Sequence, residues 1–207
     1  MPTDRMGEKT IFVVDDDQAA RESLRWLISS IGLEVETFAS AQEFLDVYDP
    51  SRPGCLLVDV RMPGMSGLEL QKRLAENPHC LPVIVVTGHG DVQMAVRAMK
   101  DGAFDFIEKP YNDQVLLDLV NRAVQECERR QNESSGQQEI ASLIESLTPR
   151  EREVMDMIVE GNTNKQIANR LDISDKTVEA HRAKVMEKLQ ASSLADLIRK
   201  AMTIKAP

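Results

Sequence analysis

Five residues at four places along the chain have the types that phosphoryl chemistry requires. Asp15 and Asp16 lie at the end of one apolar run, Asp59 ends a second, Thr87 ends a third, and Lys109 follows a fourth. Carboxylates gathered in one place repel one another unless a cation neutralises them, and a hard divalent cation held by oxygens meets that need. Mg2+ fits because it keeps waters and shares its shell with phosphate oxygens. A carboxylate beside such a cation can attack a phosphoryl group and become an aspartyl phosphate. The transferred group then needs a cation and a hydrogen-bond donor at its other oxygens, and Lys109 and Thr87 suit those tasks. Taken singly, each residue has a plainer explanation. An Asp at a strand end is commonly a helix N-cap, as expected of Asp17 ahead of Gln18, and a lone Lys is commonly a solvated surface group. Four coincidences in order at the ends of apolar runs favour the chemical reading for the set.

Such a set needs elements that bring distant positions together. Between residues 10 and 130, short β-branched runs alternate with helical periodicity. The spacing predicts strands at 10–14, 34–38, 55–59, 83–87 and 104–108, with helices at 18–31, 40–48, 66–76, 91–101 and 113–130. The runs 11–14, 56–58 and 83–86 are continuously apolar, the pattern of parallel strands covered on both faces. In an open sheet of that kind, ligands bind beyond the carboxyl ends of the strands at the switch in strand order. All of the chemical residues fall on that edge. From Gln131 to Ala141 the sequence turns polar and reads as a linker, into which the preceding helix can continue through the helix formers at 126–131.

From Leu147 onward only helices are predicted. Thr148-Pro149-Arg150-Glu151 combines an N-cap, Pro at the first helical position and Glu at the third, and that helix runs to Gly161. A second helix covers 164–171. A third follows the cap at Ser174 and runs to Leu189, and a fourth spans 193–202.

Composition narrows the classes. The chain of 207 residues carries a net charge of −9, but unevenly. Residues 1–130 hold 14 Lys and Arg against 22 Asp and Glu, whereas residues 164–205 hold 9 against 5. An acidic block followed by a short basic one implies different partners for the two. The most apolar stretch, 81–86, is broken by Pro82 and is far too short for a bilayer. The N-terminus has no apolar run after its first charges, so no signal peptide is expected and the expected location is cytoplasmic. Cys55, Cys80 and Cys127 sit beside apolar residues and read as reduced packing thiols.

The acidic half resembles a bacterial response-regulator receiver domain. The resemblance rests on Val-Val-Asp-Asp-Asp at 13–17, Asp-Val-Arg-Met-Pro-Gly-Met-Ser-Gly at 59–67, Val-Thr-Gly-His-Gly at 86–90 and Phe-Ile-Glu-Lys-Pro at 106–110. It implies a (βα)5 flavodoxin-like fold with a parallel five-stranded sheet. It makes Asp59 the phospho-acceptor, and Asp15 and Asp16 with Asp59 and the backbone carbonyl of Arg61 the Mg2+ shell. Thr87 and Lys109 would bind phosphoryl oxygens, Phe106 would be the switch aromatic, and the Lys109–Pro110 bond would be cis. The segment 94–103 resembles the helix this family uses for signalling. Arg61 and His89 occupy the two variable positions flanking the site, where bulky groups are expected to set the lifetime of the phosphorylated state.

In the basic half, Ile167, Ala168, Leu171, Ile173, Val178, Val185 and Leu189 have the apolar spacing of two helices packed across a tight turn, a helix-turn-helix. The second of these exposes cationic and small residues, which suits entry into the major groove. Leu-Thr-Pro-Arg-Glu-Arg-Glu-Val at 147–154, Asn-Lys-Gln-Ile-Ala at 164–168 and Thr-Val-Glu-Ala-His-Arg at 177–182 are similar to the LuxR-type four-helix DNA-binding domain. Asp172 stands where that family often has Gly in the turn. The resemblance implies base-edge contacts from Glu179, Ala180 and Ala183, and phosphate contacts from Lys165, Lys176, Thr177, Arg182, Lys184 and Lys188. A Glu at a base-reading position can accept from a cytosine amino group or can organise neighbouring cations. The last helix, apolar at Leu194, Leu197, Ile198 and Ala201, is the dimer seam in that family, with some of these residues also closing the domain's own core.

Together the halves resemble a FixJ/NarL-type response regulator: a receiver domain at 9–125, a helical, polar linker at 126–143 and an all-α helix-turn-helix domain at 144–207. The implied partners are a sensor histidine kinase, double-stranded promoter DNA and, on phosphorylation, a second copy of the chain. RNA polymerase is left open as a further partner, and no membrane is expected. The implied protein is a transcriptional regulator, not an enzyme beyond its own phosphotransfer and autodephosphorylation. Two rivals stand beside it. A haloacid-dehalogenase-class phosphatase would want Asp two residues after the nucleophile, where this chain has Arg61. An adaptor would use the helical tail to bind protein. No Gly-rich nucleotide loop of the Walker or dinucleotide type occurs.

Overall fold

The computed structural model describes residues 9–76, 81–88 and 92–205. The chain divides into two compact units, Met1–Gln131 and Asn132–Pro207. In the first, the element order is β1 (Thr10–Val14), α1 (Gln18–Ser29), β2 (Glu34–Phe38), α2 (Ala41–Val47), β3 (Gly54–Asp59), α3 (Gly67–Ala75), β4 (Val83–Thr87), α4 (Val92–Lys100), β5 (Asp105–Glu108) and α5 (Asp113–Glu145). Among the described residues the strands form one parallel sheet in the order β2-β1-β3-β4-β5. The strands lie within one residue of the positions predicted from the sequence.

Alternate residues of each inner strand feed two separate cores, which is why the strands read as unbroken apolar runs. Phe12, Val14, Leu56, Val58, Val83 and Val85 face Phe44, Leu70 and Ala98 from α2, α3 and α4. Ile11, Val13, Cys55, Leu57, Ile84 and Val86 face Leu24 and Ile28 of α1 and Leu116, Val120 and Ala123 of α5. Phe44 packs edge-on to Phe12 and Phe38 in the first core. Each such fully buried large side chain contributes about 1.5–3 kcal/mol relative to exposure. Edge strand β2 carries Glu36, which is closed off by an ion pair to Arg52 at 2.6 Å, while the Arg52 guanidinium lies over the Phe12 ring.

Helix α5 extends beyond the predicted 113–130. It continues into the polar stretch, as the helix formers at 126–131 allowed, and ends at Glu145. The polar stretch contains no Pro, and Glu126 accepts from Arg129 at 2.9 Å and Arg130 at 2.7 Å one turn on. A helix satisfies its backbone internally, so it persists where apolar periodicity, the signal that betrays helices in a sequence, is missing. Cys55 and Cys127 are buried free thiols, as expected. The Cys127 sulfur accepts from the Gly54 N–H at 3.4 Å. Cys80 and His89 lie outside the described residues.

The second unit contains α6 (Pro149–Val159), α7 (Asn164–Leu171), α8 (Asp175–Lys188) and α9 (Leu194–Lys205), three residues longer at its end than predicted. Val154, Ile158, Ile167, Val178, Val185, Leu189, Leu197 and Ala201 form its core, joined by Ile144 from the end of α5. Thr148 and Thr163 each make a full capping box, with Glu151 and Gln166. Between α7 and α8 the chain turns at Asp172, whose φ of 52° and ψ of 50° are left-handed. A short polar residue tolerates that conformation and a β-branched one does not. Asp172→Gly should therefore match or exceed the wild type in thermal unfolding, and Asp172→Val should lose at least about 1–2 kcal/mol.

Candidate functional site

Strand order decides what meets what. The chain leaves β1 in one direction to make β2 and in the other to make β3, so the switch lies between β1 and β3. Asp15 follows β1 and Asp59 ends β3, and both are buried, 3% and 9% exposed. Lys109, 94 residues beyond Asp15, comes off the end of β5 and is drawn across by its backbone, whose N–H donates to the Thr87 carbonyl at 2.8 Å. Its ammonium donates to Asp15 Oδ2 at 2.7 Å and to Asp59 Oδ1 at 3.1 Å. Burial works to lower the lysine pKa, but the hydrogen bonds and charges of Asp15 and Asp59 outweigh it and hold the group above its ordinary value.

The remaining carboxylate oxygens are also engaged. Asp15 Oδ1 accepts from the Asp17 N–H at 2.9 Å, and Asp59 Oδ2 accepts from the Arg61 N–H at 2.7 Å. Asp17 caps α1, as its place in the sequence suggested. Thr87 is buried at the end of β4, and Phe106 on β5 is half-buried against the core that contains Phe12. Asp16 and the Arg61 side chain are exposed. The Lys109–Pro110 bond is cis.

The geometry revises the electrostatic argument. Part of the neutralisation that three carboxylates seemed to demand from outside is supplied by the chain's own Lys109. Among the described residues no three acidic, histidine or cysteine side chains converge as a metal site. The convergent acids are two, with one oxygen of each aimed at a single ammonium. Such a pair of hard oxygens suits Mg2+, which takes one or two carboxylates and completes its shell with water and phosphate oxygens.

Two supporting residues escaped the sequence reading. The Arg21 guanidinium donates to the Asp15 backbone carbonyl at 2.5 Å, a contact made only because α1 turns back over the loop that it follows. Gly67 opens α3 directly against β3. A Cβ there would lie 2.2 Å from the Asp59 carbonyl oxygen and 2.9 Å from a Val58 methyl. Its N–H donates to the Val60 carbonyl at 3.1 Å, and the Ser66–Glu69 capping box fixes the start of the helix.

In the helical unit, Val178, Val185 and Leu189 bury one side of α8. Lys176, Thr177, Glu179, Ala180, Ala183 and Lys184 are exposed, as is Lys165 on α7. Ser174 caps α8 by accepting from the Thr177 N–H at 3.1 Å. Arg182 is half-buried. Lys188 lies apart from the others: its ammonium donates to Glu151 Oε2 at 2.7 Å and to the Ser146 carbonyl at 3.1 Å. Glu151 is itself buried, and the Lys188 hydrogen bond, followed by that of the Thr148 N–H, lowers its pKa to about 2. On α9, Leu197 and Ala201 go to the core while Leu194 and Met202 are exposed.

Residues 11–121 match the family model for the response regulator receiver domain, and residues 145–201 match that for bacterial regulatory proteins of the luxR family. This chain is a response regulator. It is 46% identical over 192 residues to the transcriptional regulatory protein FixJ of Bradyrhizobium diazoefficiens, covering 93% of this chain and 94% of that one. It is 47% identical to the transcriptional regulatory protein TdiR of Thauera aromatica, over 91% of this chain and 83% of the relative. Among solved structures, the response regulator StyR superposes with a TM-score of 0.84 at 44% identity, covering 95% of this chain and 99% of that one. The response regulator is a phosphorylation-dependent transcription factor and not a classical enzyme, which removes the phosphatase and adaptor readings. Its receiver domain implies a histidine kinase as partner, and its luxR-type domain implies DNA. Among the described residues no helix is long and apolar enough to cross a membrane.

Three substitutions test this framework. Gly67→Ala must displace the Asp59 backbone and should destabilise the receiver domain by about 1–3 kcal/mol in denaturant unfolding. Gly88→Ala, whose added methyl meets nothing within 4 Å, should not. Because the Glu151 pKa is depressed, its contribution is complete above the unfolded value near 4.5 and is lost as pH falls toward 2. Glu151→Gln should cost about 1 kcal/mol at pH 7, with the gap from wild type closing between pH 5 and 2 in thermal melts.

Proposed function

We propose that Asp59 is the phospho-acceptor and that its phosphorylation drives dimerisation and promoter binding. The supporting observation is the single ammonium shared by Asp15 and Asp59, which marks one point at the sheet edge where a negatively charged group and its cations would meet. An Asp59 carboxylate oxygen attacks the phosphorus of a phosphohistidine on a sensor kinase, or of a small phosphodonor. The O–P bond forms as the P–N bond breaks, and the leaving imidazole keeps the electron pair and takes up a proton. Lys109 binds a phosphoryl oxygen, and the Thr87 hydroxyl donates to another. Asp15, Asp16 and Asp59 with the Arg61 backbone carbonyl would hold Mg2+, which when bound offsets charge on the phosphoryl oxygens. The same pocket later directs hydrolysis of the aspartyl phosphate, slowed by the exposed Arg61 side chain.

Thr87 and Phe106 carry the change to the face formed by α4 and β5. Val96 and Met99 are exposed on α4, which supports this face as a dimer surface. The exposed Leu194 and Met202 support a second seam along α9. Moving such a switch from mostly off to mostly on requires phosphorylation to favour the active state by ~5 kcal/mol. The paired helix-turn-helix units then occupy half-sites about 10 base pairs apart. Lys165, Lys176, Thr177, Arg182 and Lys184 would meet phosphates and Glu179, Ala180 and Ala183 base edges, while Lys188 serves Glu151 instead. We assign the receiver domain to 9–125, the linker to 126–143 and the DNA-binding domain to 144–207. The protein works in the cytoplasm, where its thiols stay reduced, and meets RNA polymerase at the promoter.

Light scattering on wild type and Asp59→Ala, each with and without beryllofluoride plus Mg2+, tests this reading. Doubling of mass in the wild type alone is expected. An unchanged wild-type mass, or doubling in both proteins, would overturn dimerisation through Asp59.

A further inference from the structure

The buried stripe of α3 contains a residue whose type does not suit its place. Gly67, Leu70, Gln71 and Leu74 recur at the spacing of one helical face, and all four are buried. Gln71 is only 1% exposed. Its Nε2 donates across to the Ala98 backbone carbonyl of α4 at 2.8 Å, whereas its Oε1 is buried and, among the described residues, accepts from nothing. A buried amide oxygen without a donor is costly, and an apolar side chain of similar size would remove that cost. The Ala98 carbonyl does not depend on the amide either, because the Ala103 N–H donates to it at 3.0 Å. Stability therefore does not explain a glutamine here.

The helix that Gln71 reaches supplies the second observation. α1 buries Leu24 and Ile28, α2 buries Ala41 and Phe44, and α3 buries Leu70 and Leu74. Among the described residues of α4 only Ala98 is buried, Met94 packs against the core in part, and Val96 and Met99 are exposed. Apolar attraction scales with the area buried, so a methyl group holds α4 far more weakly than larger side chains hold its neighbours. It also lacks direction, and a helix resting on one methyl can slide and roll. A hydrogen bond has a length and an angle, and one made away from water is stronger than one at the surface. This one ends on the same carbonyl that closes the last turn of α4, beside Gly102 with its φ of 91°.

We infer that Gln71 is a positioning residue for the dimer surface: its amide fixes the Ala98 carbonyl as one point of α4, so that Val96 and Met99 are presented to a second copy of the chain in a single arrangement. This rests on the reading above that α4 forms part of that surface, and it assigns the preparation of the surface to a buried residue of the helix next to it. Without the amide, α4 has no fixed point, and dimerisation must order the helix as well as cover it.

The test compares wild type with Gln71→Leu and Gln71→Met, two apolar variants of similar volume that lack the amide. Each full chain is followed by thermal melting, by amide hydrogen exchange, and by light scattering over a concentration series with and without beryllofluoride plus Mg2+. Both variants should melt at or above the wild-type temperature, since the unpartnered oxygen is gone. Exchange at the α4 amides should be about tenfold faster while that of α1 and α3 stays the same. The dissociation constant of the beryllofluoride-induced dimer should rise about tenfold. Unchanged exchange in α4, an unchanged dimer, or a lower melting temperature in both variants would overturn the inference, the last by making Gln71 an ordinary stabilising residue. A wild type that stays monomeric would overturn the dimerisation reading, and the inference with it.

Discussion

A lysine ammonium held between two buried carboxylates organises the receiver half of this molecule. Asp15, Asp59 and Lys109 come from the ends of three strands, and the two acids would repel each other in that setting without the ammonium between them. Removing three charges from water costs several kcal/mol per ion before their attraction repays it. A fold gains little stability from such a cluster that a few apolar residues would not supply. What the cluster provides is a charged point at the sheet edge, already partly dehydrated, with every carboxylate oxygen oriented by a donor.

That point exists because of the layers beneath it. Two cores, one on each side of the sheet, hold β1 and β3 as neighbours and fix the register that sets Val14 beside Val58 and Asp59 beside Val86. Gly67 lets α3 press against the Asp59 backbone, and Arg21 brings α1 onto the Asp15 carbonyl. The pocket is thus braced by helices from both faces, whereas α4 leaves Val96 and Met99 uncovered. Rigid strand ends and an apolar helix surface next to them are the parts that a charge-driven switch needs.

The helical unit divides its charges in a comparable way. Lys188 is spent inside, on Glu151 and the end of α5, and fastens α8 to α6. Lys165, Lys176 and Lys184 stay outside. From the sequence these lysines look alike, because all lie on helices among polar neighbours. Only packing separates the one that holds the domain together from those free to meet a phosphate.

The sequence by itself determined the strands and most helices, through apolar runs, caps such as Thr148 and Ser174, and turn residues such as Asp172, all of which act over a few neighbouring positions. It also determined which residues could do phosphoryl chemistry, because Asp, Thr and Lys at strand ends are chemically distinctive wherever they occur. It did not determine the length of α5, whose polar stretch is held by backbone hydrogen bonds that leave no mark in apolar periodicity. Nor did it determine that the Lys109 ammonium reaches both Asp15 and Asp59, that the Lys188 ammonium reaches Glu151, or that Gly67 touches Asp59. Those facts depend on which distant segments come to lie side by side. Tertiary structure decided them, since Coulomb forces and steric contact act through space over a few ångströms and take no account of separation along the chain.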